Sequence, residues 1–547
     1  MLSEDDSLGD LTLPAFLEAS VNRYGPSEAM VEYQGTERCS WTYQQLWEQV
    51  NAIARSLVAC GVGRGERVGV LMPNSALMIA SCFGIVRCGA VATVISTFST
   101  ESELADVLAR SGCTVLLMTP RILNKSFDRL LLTRAPGLMH CAQADTRSAE
   151  FPFLRRLVVA DSTASAPFTG WSDFIALGAT VPDSVVNERS AALSPADPAM
   201  LFFSSGSTSQ PKGILSSHRA VSLQCRRMQA QQGLGNGVRS WTANGFFWSG
   251  NFAMVLGATL HAGGCLVLQT HFEPDEAIRL IEQEQVEFVF AWPHQWSKLI
   301  ESPRWRSADL HCVKYVDRDA PLAAHPSIHS DWIEPRHCYG NTETFTLITA
   351  FPANTPAEAA AHSHGQILPG NIVKIIDPVS DQICSLGETG EIAVKGPTLM
   401  MGYLGIPLDE SLDDMGFFRT GDSGWLDEAG RLFWCGRLSD IIKTGGANVS
   451  PLEVDAVLRE HQAVKLCQTV GVPHNELGEI VVGCVILFDD QQVSEAALRD
   501  FAAVKLAAYK VPRRILFLSE DKVTLTGTAK IKTAELRTLA AQWLTAP

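Results

Sequence analysis

The sequence has no surplus of positive charge. Its 547 residues carry 44 Lys and Arg against 59 Asp and Glu, a formal net charge of −15. A general nucleic-acid or anionic-membrane surface needs the opposite sign, so both partner classes are excluded, and only a local basic pocket for phosphates stays open. Paired cysteines are missing too. The 14 thiols run from Cys39 to Cys484 without one CxxC, which argues against a structural zinc site and for reduced, mostly buried thiols in a cytoplasmic protein. No apolar run is long enough and clean enough to span a bilayer. The most apolar one, ALMIASCFGIVRCGAVATVIS from Ala76, is cut by Arg87. It reads as a buried helix, a turn and a strand, because a span would put that guanidinium near mid-bilayer. The acidic opening MLSEDDSLGD has no apolar signal core, and the closing WLTAP carries no lipidation or peroxisomal signal. Internal repeats and low-complexity linkers are absent. What is there is 46% hydrophobic and 19% charged, a soluble globular composition on a chain too long for one core. Oligomers stay open.

Strand and helix patterns alternate through the first half. RVGVLMPN, AVATVIS and CTVLLMT read as strands separated by ALMIASCFGIVR and the charged amphipathic ESELADVLARSG; CLVLQT, DEAIRLIEQEQ and VEFVFAW repeat the alternation. This predicts parallel sheets covered by helices. After about residue 370 the texture becomes short strands split by Gly and Pro: NIVKIIDP, GEIAVKGP, RLFWCGR. The end reads as a compact α+β unit, with helices over PLEVDAVLREH and ALRDFAAVKLAAY and strands over CQTVGVP and IVVGCVILF. The charged turn CGRLSDIIKTGG, around Asp440, is the expected boundary.

One segment is polar and bendable throughout: FSSGSTSQPKG, Phe203 to Gly213, after the apolar strand DPAMLFF. Successive backbone N–H groups in such a loop form an anion nest, hydroxyls add donors, and Lys212 adds a mobile charge, which together suit a polyphosphate. The spacing is not that of a Walker loop. Alone, the segment reads equally well as a flexible surface loop.

Four more segments accompany it in order: YGNTET (Tyr339 to Thr344), GETGEIAVKGP (Gly387 to Pro397), FRTGDSGWLDEAGRLFWCGRLSDIIKTGGANVSPLEVD (Phe418 to Asp455) and TGTAKIKTAELR (Thr526 to Arg537). Together, over nearly the whole chain, they resemble the adenylate-forming superfamily of acyl-CoA synthetases, firefly luciferase and peptide-synthetase adenylation domains, and within it the acyl-CoA synthetase branch. The resemblance implies an α/β fold: a large N-terminal domain of helix-covered sheets plus a small β-rich subdomain (1–438), a hinge (439–442) and a small mobile α+β C-terminal domain (443–547). It implies a two-step reaction. A carboxylate attacks the α-phosphate of ATP to give acyl-AMP and pyrophosphate, and a thiol, usually coenzyme A, then displaces AMP.

Site residues follow by motif. Ser204, Ser205, Gly206, Ser207, Thr208 and Lys212 match the family's phosphate loop, with Ser209 where glycine is usual, a change that narrows backbone freedom. In YGNTET, Tyr339 would stack on adenine with Gly340 and Asn341 beside it, Thr342 matches the α-phosphate contact and Glu343 the Mg²⁺ ligand. One carboxylate suffices for magnesium when phosphates supply the rest. Asp422 matches the carboxylate that accepts both ribose hydroxyls, and Arg437 a second ribose contact. DRDAPL places Asp319, Ala320 and Pro321 beside adenine, with Asp319 in a position usually held by glycine. Lys530 matches the lysine that bridges carboxylate and phosphate in the transition state, although Ala529 and Thr533 depart from the usual motif. Lys443, Gly445 and Gly446 match the stretch that meets coenzyme A, with Asn448 and Ser450 read as a turn into the next helix, Pro451 at its first position. Asp440 marks the hinge.

The acid is addressed by Asn244 to Gly264, which matches the acyl-lining segment. Phe247, Trp248 and Gly250 stand where many relatives have FHxxG, with Trp248 replacing histidine. Small residues downstream, Gly257 and Ala258, are expected to leave space, and Phe246 reads as core. No Asp stands where amino-acid-activating domains bind an α-amino group, so the expected substrate is a hydrophobic acid: fatty, aromatic or polycyclic. Three functions compete: an acid–CoA ligase using ATP, Mg²⁺ and coenzyme A; a stand-alone adenylating enzyme passing acyl-AMP to another protein; and a noncatalytic nucleotide-binding member. Retention of Thr342, Glu343, Asp422, Arg437 and Lys530 argues against the last.

Overall fold

Apolar runs of four or five residues that are buried on both faces belong in the middle of parallel sheets. The computed structural model, which describes residues 11–161, 164–204, 211–335, 338–360, 362–444, 447–519 and 533–545, places them there. Arg67–Leu71, Val91–Val94, Val115–Met118, Arg156–Val159 and Phe168–Gly170 form the parallel part of an eight-stranded sheet. Alternation along Val115–Met118 sends Val115 and Leu117 to one core and Leu116 and Met118 to the other. Helix Tyr43–Ala59 packs Leu46, Val50 and Ile53 into the first core, and helix Glu101–Ser111 packs Leu104 and Leu108 into the second. Beyond Val91–Val94 the sheet continues through Pro198–Ser204, then turns antiparallel through Lys212–Ser217 and the short edge strand Gly402–Tyr403. That antiparallel edge carries the site.

The apolar run from Ala76 is the expected helix, Ala76–Arg87, followed by a turn and the strand Val91–Val94. Arg87 is buried yet satisfied: it donates to Asn51 Oδ1 (2.5 Å) and Asn187 Oδ1 (2.7 Å) and lies over the Trp47 ring. Among the described residues no helix is long and apolar enough to cross a membrane. A second sheet runs Phe288–Phe290, Arg239–Thr242, Cys265–Val267, Glu28–Gln34 and Glu37–Thr42, parallel except for its last pair. All 14 cysteines are free and eight are buried.

The chain packs as two units, 1–372 with 394–418, and 373–393 with 419–547. Ile372–Ile376, Gly390–Lys395, Phe418–Leu426 and Leu432–Arg437 form a four-stranded sheet, most of it in the second unit. A further sheet pairs Val464–His474 with Gly478–Leu487, flanked by Ile442–Thr444, Ala447–Val449 and Arg514–Phe517. Period-two alternation divides its cover. Val481 and Val485 face helices Pro451–Arg459 and Glu495–Ala503, whereas Val482 and Cys484 face helix Thr533–Thr545. Two local expectations are corrected. Helix Glu495–Ala503 stops before Val504 instead of running through AAY, because the N–H groups of Lys505 and Leu506 both bond to the Ala502 carbonyl and close the last turn. Asn448 sits in a strand opposite Lys443, not in the turn into the helix.

Candidate active site

The phosphate-loop segment opens from a hairpin in which Phe203 faces Gly213 and Ser204 faces Lys212. Ser205, Gly206, Ser207 and Thr208 lie outside the described residues, as does Ser209. Lys212, at the far foot of that hairpin, stands over the Tyr403 ring with Nζ 4.8 Å from its centroid. Tyr403 is on the neighbouring edge strand, in register with Ile214, and its hydroxyl donates to Glu343 Oε1 at 2.8 Å. Met400, two residues before that strand, donates its backbone N–H to the Glu343 carbonyl at 2.7 Å. The expected phosphate lysine and the expected metal carboxylate are therefore joined through one tyrosine. Sequence reasoning passed over Tyr403, since a single aromatic in a two-residue strand carries no local signal.

Glu343 itself sits in a short helical turn, Thr342–Thr344, capped by Asn341, whose Oδ1 accepts the Thr344 N–H (3.1 Å). The Asn341 side-chain oxygen is thus committed to holding the turn. The next two residues are strained: Phe345 and Thr346 have φ of +44° and +84°, uncommon for any side chain and more so for a β-branched one. The buried amide of Gln224 clamps them, donating to the carbonyls of Phe345 (3.0 Å) and Leu347 (2.8 Å). Gly340 is dictated by the same turn, because a Cβ there would stand 1.7 Å from the Thr346 carbonyl oxygen. Tyr339 is buried on the adjoining strand. In DRDAPL, Ala320 is buried, whereas Asp319 points its carboxylate to solvent near Arg318, and its N–H donates to Asp317 Oδ1 (2.8 Å). Pro321 opens a short helical turn.

In the second unit Asp422 and Arg437 are direct cross-strand partners. Asp422 is buried, Arg437 half-exposed, and Arg437 Nε lies 3.1 Å from Asp422 Oδ1 while its Nη1 donates to the Thr420 carbonyl (2.9 Å). A buried carboxylate oriented by a guanidinium is an acceptor pair suited to a cis-diol. Lys443 is exposed, its N–H bonded to Glu479 Oε2 (2.8 Å); Thr444 and Ala447 pair across positions 445 and 446. Gly445 and Gly446 lie outside the described residues, and so does Lys530. Asp440 ends a short helical turn, Leu438–Asp440, whose following N–H, that of Ile441, returns to the Arg437 carbonyl (3.1 Å).

The acyl segment is aromatic at its start. Phe246 is core, as expected, Phe247 is buried, and the half-buried Trp248 meets Phe247 edge-on with centroids 5.0 Å apart. A Cβ at position 250 would fit without crowding, in ordinary contact with Thr346 Cγ2 at 3.9 Å. Gly257 and Ala258 do not leave space. A Cβ on Gly257 would come 2.2 Å from Cys225 Sγ, and Ala258 is fully buried, so the small residues serve close helix packing instead.

Comparison with known proteins follows this layout. The family described as AMP-binding enzyme matches residues 17–404, and the AMP-binding enzyme C-terminal domain matches residues 453–530. The chain belongs to the AMP-binding enzyme family. It is an adenylate-forming enzyme of the acyl-CoA synthetase branch. Feruloyl-CoA synthase from an Amycolatopsis species is 29% identical to it over 522 residues, 94% of this chain and 96% of the relative. Acyl-CoA ligase sidI of Aspergillus fumigatus is 27% identical over 556 residues, 98% and 92% respectively. The enzyme also shares its fold with the anthranilate CoA ligase AuaEII, solved in complex with anthranoyl-AMP, at a TM-score of 0.78 and 23% identity over the whole of both chains.

Proposed function

We propose that the enzyme activates a hydrophobic carboxylic acid with ATP, releasing pyrophosphate, and transfers the acyl group from acyl-AMP to coenzyme A. The observation that carries the hydrophobic preference is the acyl segment itself. Asn244 to Gly264 contains no carboxylate and presents the Phe247–Trp248 aromatic pair, which can contact an apolar acid and has nothing to neutralise an α-amino group. The family relationship and a feruloyl-CoA synthase among the relatives support ligation to coenzyme A.

In this reading Lys212 and the phosphate loop hold the β- and γ-phosphates, Thr342 contacts the α-phosphate, and Asp422 with Arg437 holds the ribose. Among the described residues no cluster of three or more His, Cys, Asp or Glu side chains is placed to hold a metal. A metal held mostly by nucleotide oxygens needs less, and Glu343 fits it: a half-exposed carboxylate with one oxygen fixed by Tyr403, whose ring carries the lysine that would share the same phosphates. When bound, Mg²⁺ would neutralise charge on those phosphates. Lys530 is assigned to the transition state of acid attack on the α-phosphate, and the segment from Lys443 through Gly446 to the thiol step, with rotation of the C-terminal domain about 439–442 between the two.

Pyrophosphate release across a panel of acids, with and without coenzyme A, tests the reading. Hydrophobic acids should release pyrophosphate and yield a thioester. Acyl-AMP without thioester would assign the enzyme to acyl transfer onto another protein, and no release with any acid would leave nucleotide binding alone.

A further inference from the structure

We propose that Phe98 is a third wall of the acyl gate, and that the gate it forms with Phe247 and Trp248 selects acids carrying a flat unsaturated ring over saturated chains of similar size. The inference rests on the acyl reading of Asn244 to Gly264. Phe98 lies on the loop between strand Val91–Val94 and helix Glu101–Ser111, far in sequence from that segment. Its ring meets Phe247 edge-on, with centroids 5.5 Å apart at 89°, and Trp248 at 5.9 Å and 49°. With the Phe247–Trp248 contact at 5.0 Å and 67°, the three rings form a closed triangle.

Phe98 is nevertheless 58% exposed. A phenyl ring left this open on a loop lacks the contacts that would make it core, and its loop needs some other restraint to keep it in place. Lys125 supplies one. From the ribbon Arg121–Ile122 and Lys125–Ser126 its ammonium donates to three successive carbonyls, those of Thr97 (3.3 Å), Phe98 (2.9 Å) and Ser99 (3.1 Å). The Phe98 N–H is taken by Ser96 Oγ (3.1 Å), and Thr100 caps the following helix. The backbone that carries the exposed ring is therefore fixed before any substrate arrives, which lowers the cost of ordering it on binding. Phe247 is buried, so the exposed Phe98 and the half-buried Trp248 are the rings with surface left for a fourth. Aromatic pairs gain from offset or edge-to-face contact at 4.5–7 Å beyond the area they bury, and a saturated chain gains only the burial.

The test is the ratio of kcat/KM for cinnamate over octanoate, read by pyrophosphate release, with KM for ATP measured alongside. Phe98→Ala should lower that ratio about three- to tenfold at constant KM for ATP, Phe98→Tyr should keep it, and Lys125→Met should shift it the same way by a smaller factor. A ratio within twofold of wild type in Phe98→Ala, or a fall that Phe98→Tyr shares, overturns the proposal. If Trp248→Ala moves the ratio and Phe98→Ala does not, the acyl reading stands and the role of Phe98 falls. A wild-type enzyme that releases no pyrophosphate with any acid removes the underlying function and this inference with it.

Discussion

A carboxylate that would share a metal with phosphate oxygens gains from being aimed before the nucleotide arrives. Tyr403 aims Glu343 through one hydrogen bond while its ring carries Lys212, so a single side chain sets the resting positions of two charged groups. Removing the negative charge in Glu343→Gln should raise the Mg²⁺ requirement sharply, since one anionic ligand becomes a neutral amide. Tyr403→Phe keeps the ring under Lys212 and removes only the hydroxyl. It should raise half-saturating Mg²⁺ by about tenfold, the scale of a hydrogen bond to a charged group, with a smaller effect on KM for ATP. Magnesium titration at fixed ATP reads both, and unchanged curves would remove the pair from the metal site. The role proposed for Lys530 is of a different kind, confined to the point where acid meets phosphate. Lys530→Ala should slow acyl-AMP formation by several orders of magnitude and leave supplied acyl-AMP able to react with coenzyme A. Equal loss in both half-reactions would refute that role.

At the scale of elements, helix Pro451–Arg459 holds a buried acid against the sheet behind it. Asp455 accepts the Thr469 N–H at 2.6 Å, and Arg459 Nη2 is 3.7 Å from its Oδ2, while Cys467 Sγ donates to its backbone carbonyl at 3.3 Å. Burial outweighs these contacts and pushes the carboxyl up to about 6 from its ordinary 3.8. A raised carboxyl binds its proton more tightly in the folded state, so its contribution is complete below about pH 4 and is lost as pH rises through about 6. The loss is about 3 kcal/mol. Asp455→Asn should flatten the stability profile of the second unit between pH 4 and 6, as followed by urea unfolding of the whole chain across that range. An identical slope in the variant would show that another group titrates there. The turn around Glu343 shows the reverse arrangement, with backbone strain at Phe345 and Thr346 held by Gln224 and by the absence of a Cβ at Gly340.

At the scale of the molecule, packing and the proposed rotation divide the chain differently. Contacts separate 373–393 and 419–547 from the rest, whereas the proposed rotation turns at 439–442, inside the second of these units. The first division follows from packing within each unit; the second is where backbone angles would change in the proposed rotation. In the proposed reaction Lys530 and the Gly445–Gly446 stretch would serve successive steps from one small domain, and a rotation would have to intervene. Asp440→Pro fixes φ and removes a backbone donor at the turn. The variant should still release pyrophosphate and form acyl-AMP but make little acyl-CoA, as assays following both products would register. An intact thioester yield would move the hinge elsewhere.

Local information was enough for the strands and helices of the first half, because Val91–Val94 and Val115–Met118 are mostly apolar and buried on both faces and the helix between them, Glu101–Ser111, is capped and amphipathic within its own few residues. It was enough, too, to single out Glu343, Lys212, Asp422 and Arg437 as candidates, because their motifs are contiguous. Contacts between distant segments were not legible there. Nothing near position 403 announces a bond to Glu343, and nothing near 98 announces the rings of Phe247 and Trp248. Gly257 and Ala258 look like room for a substrate until helix His218–Gln232 is seen to occupy it. A residue's propensity and charge are properties of its neighbourhood in the chain. What fills the space beside it is settled only when sheets and helices pack, and in this enzyme that packing decides which tyrosine meets Glu343 and which phenylalanine reaches Phe247 and Trp248.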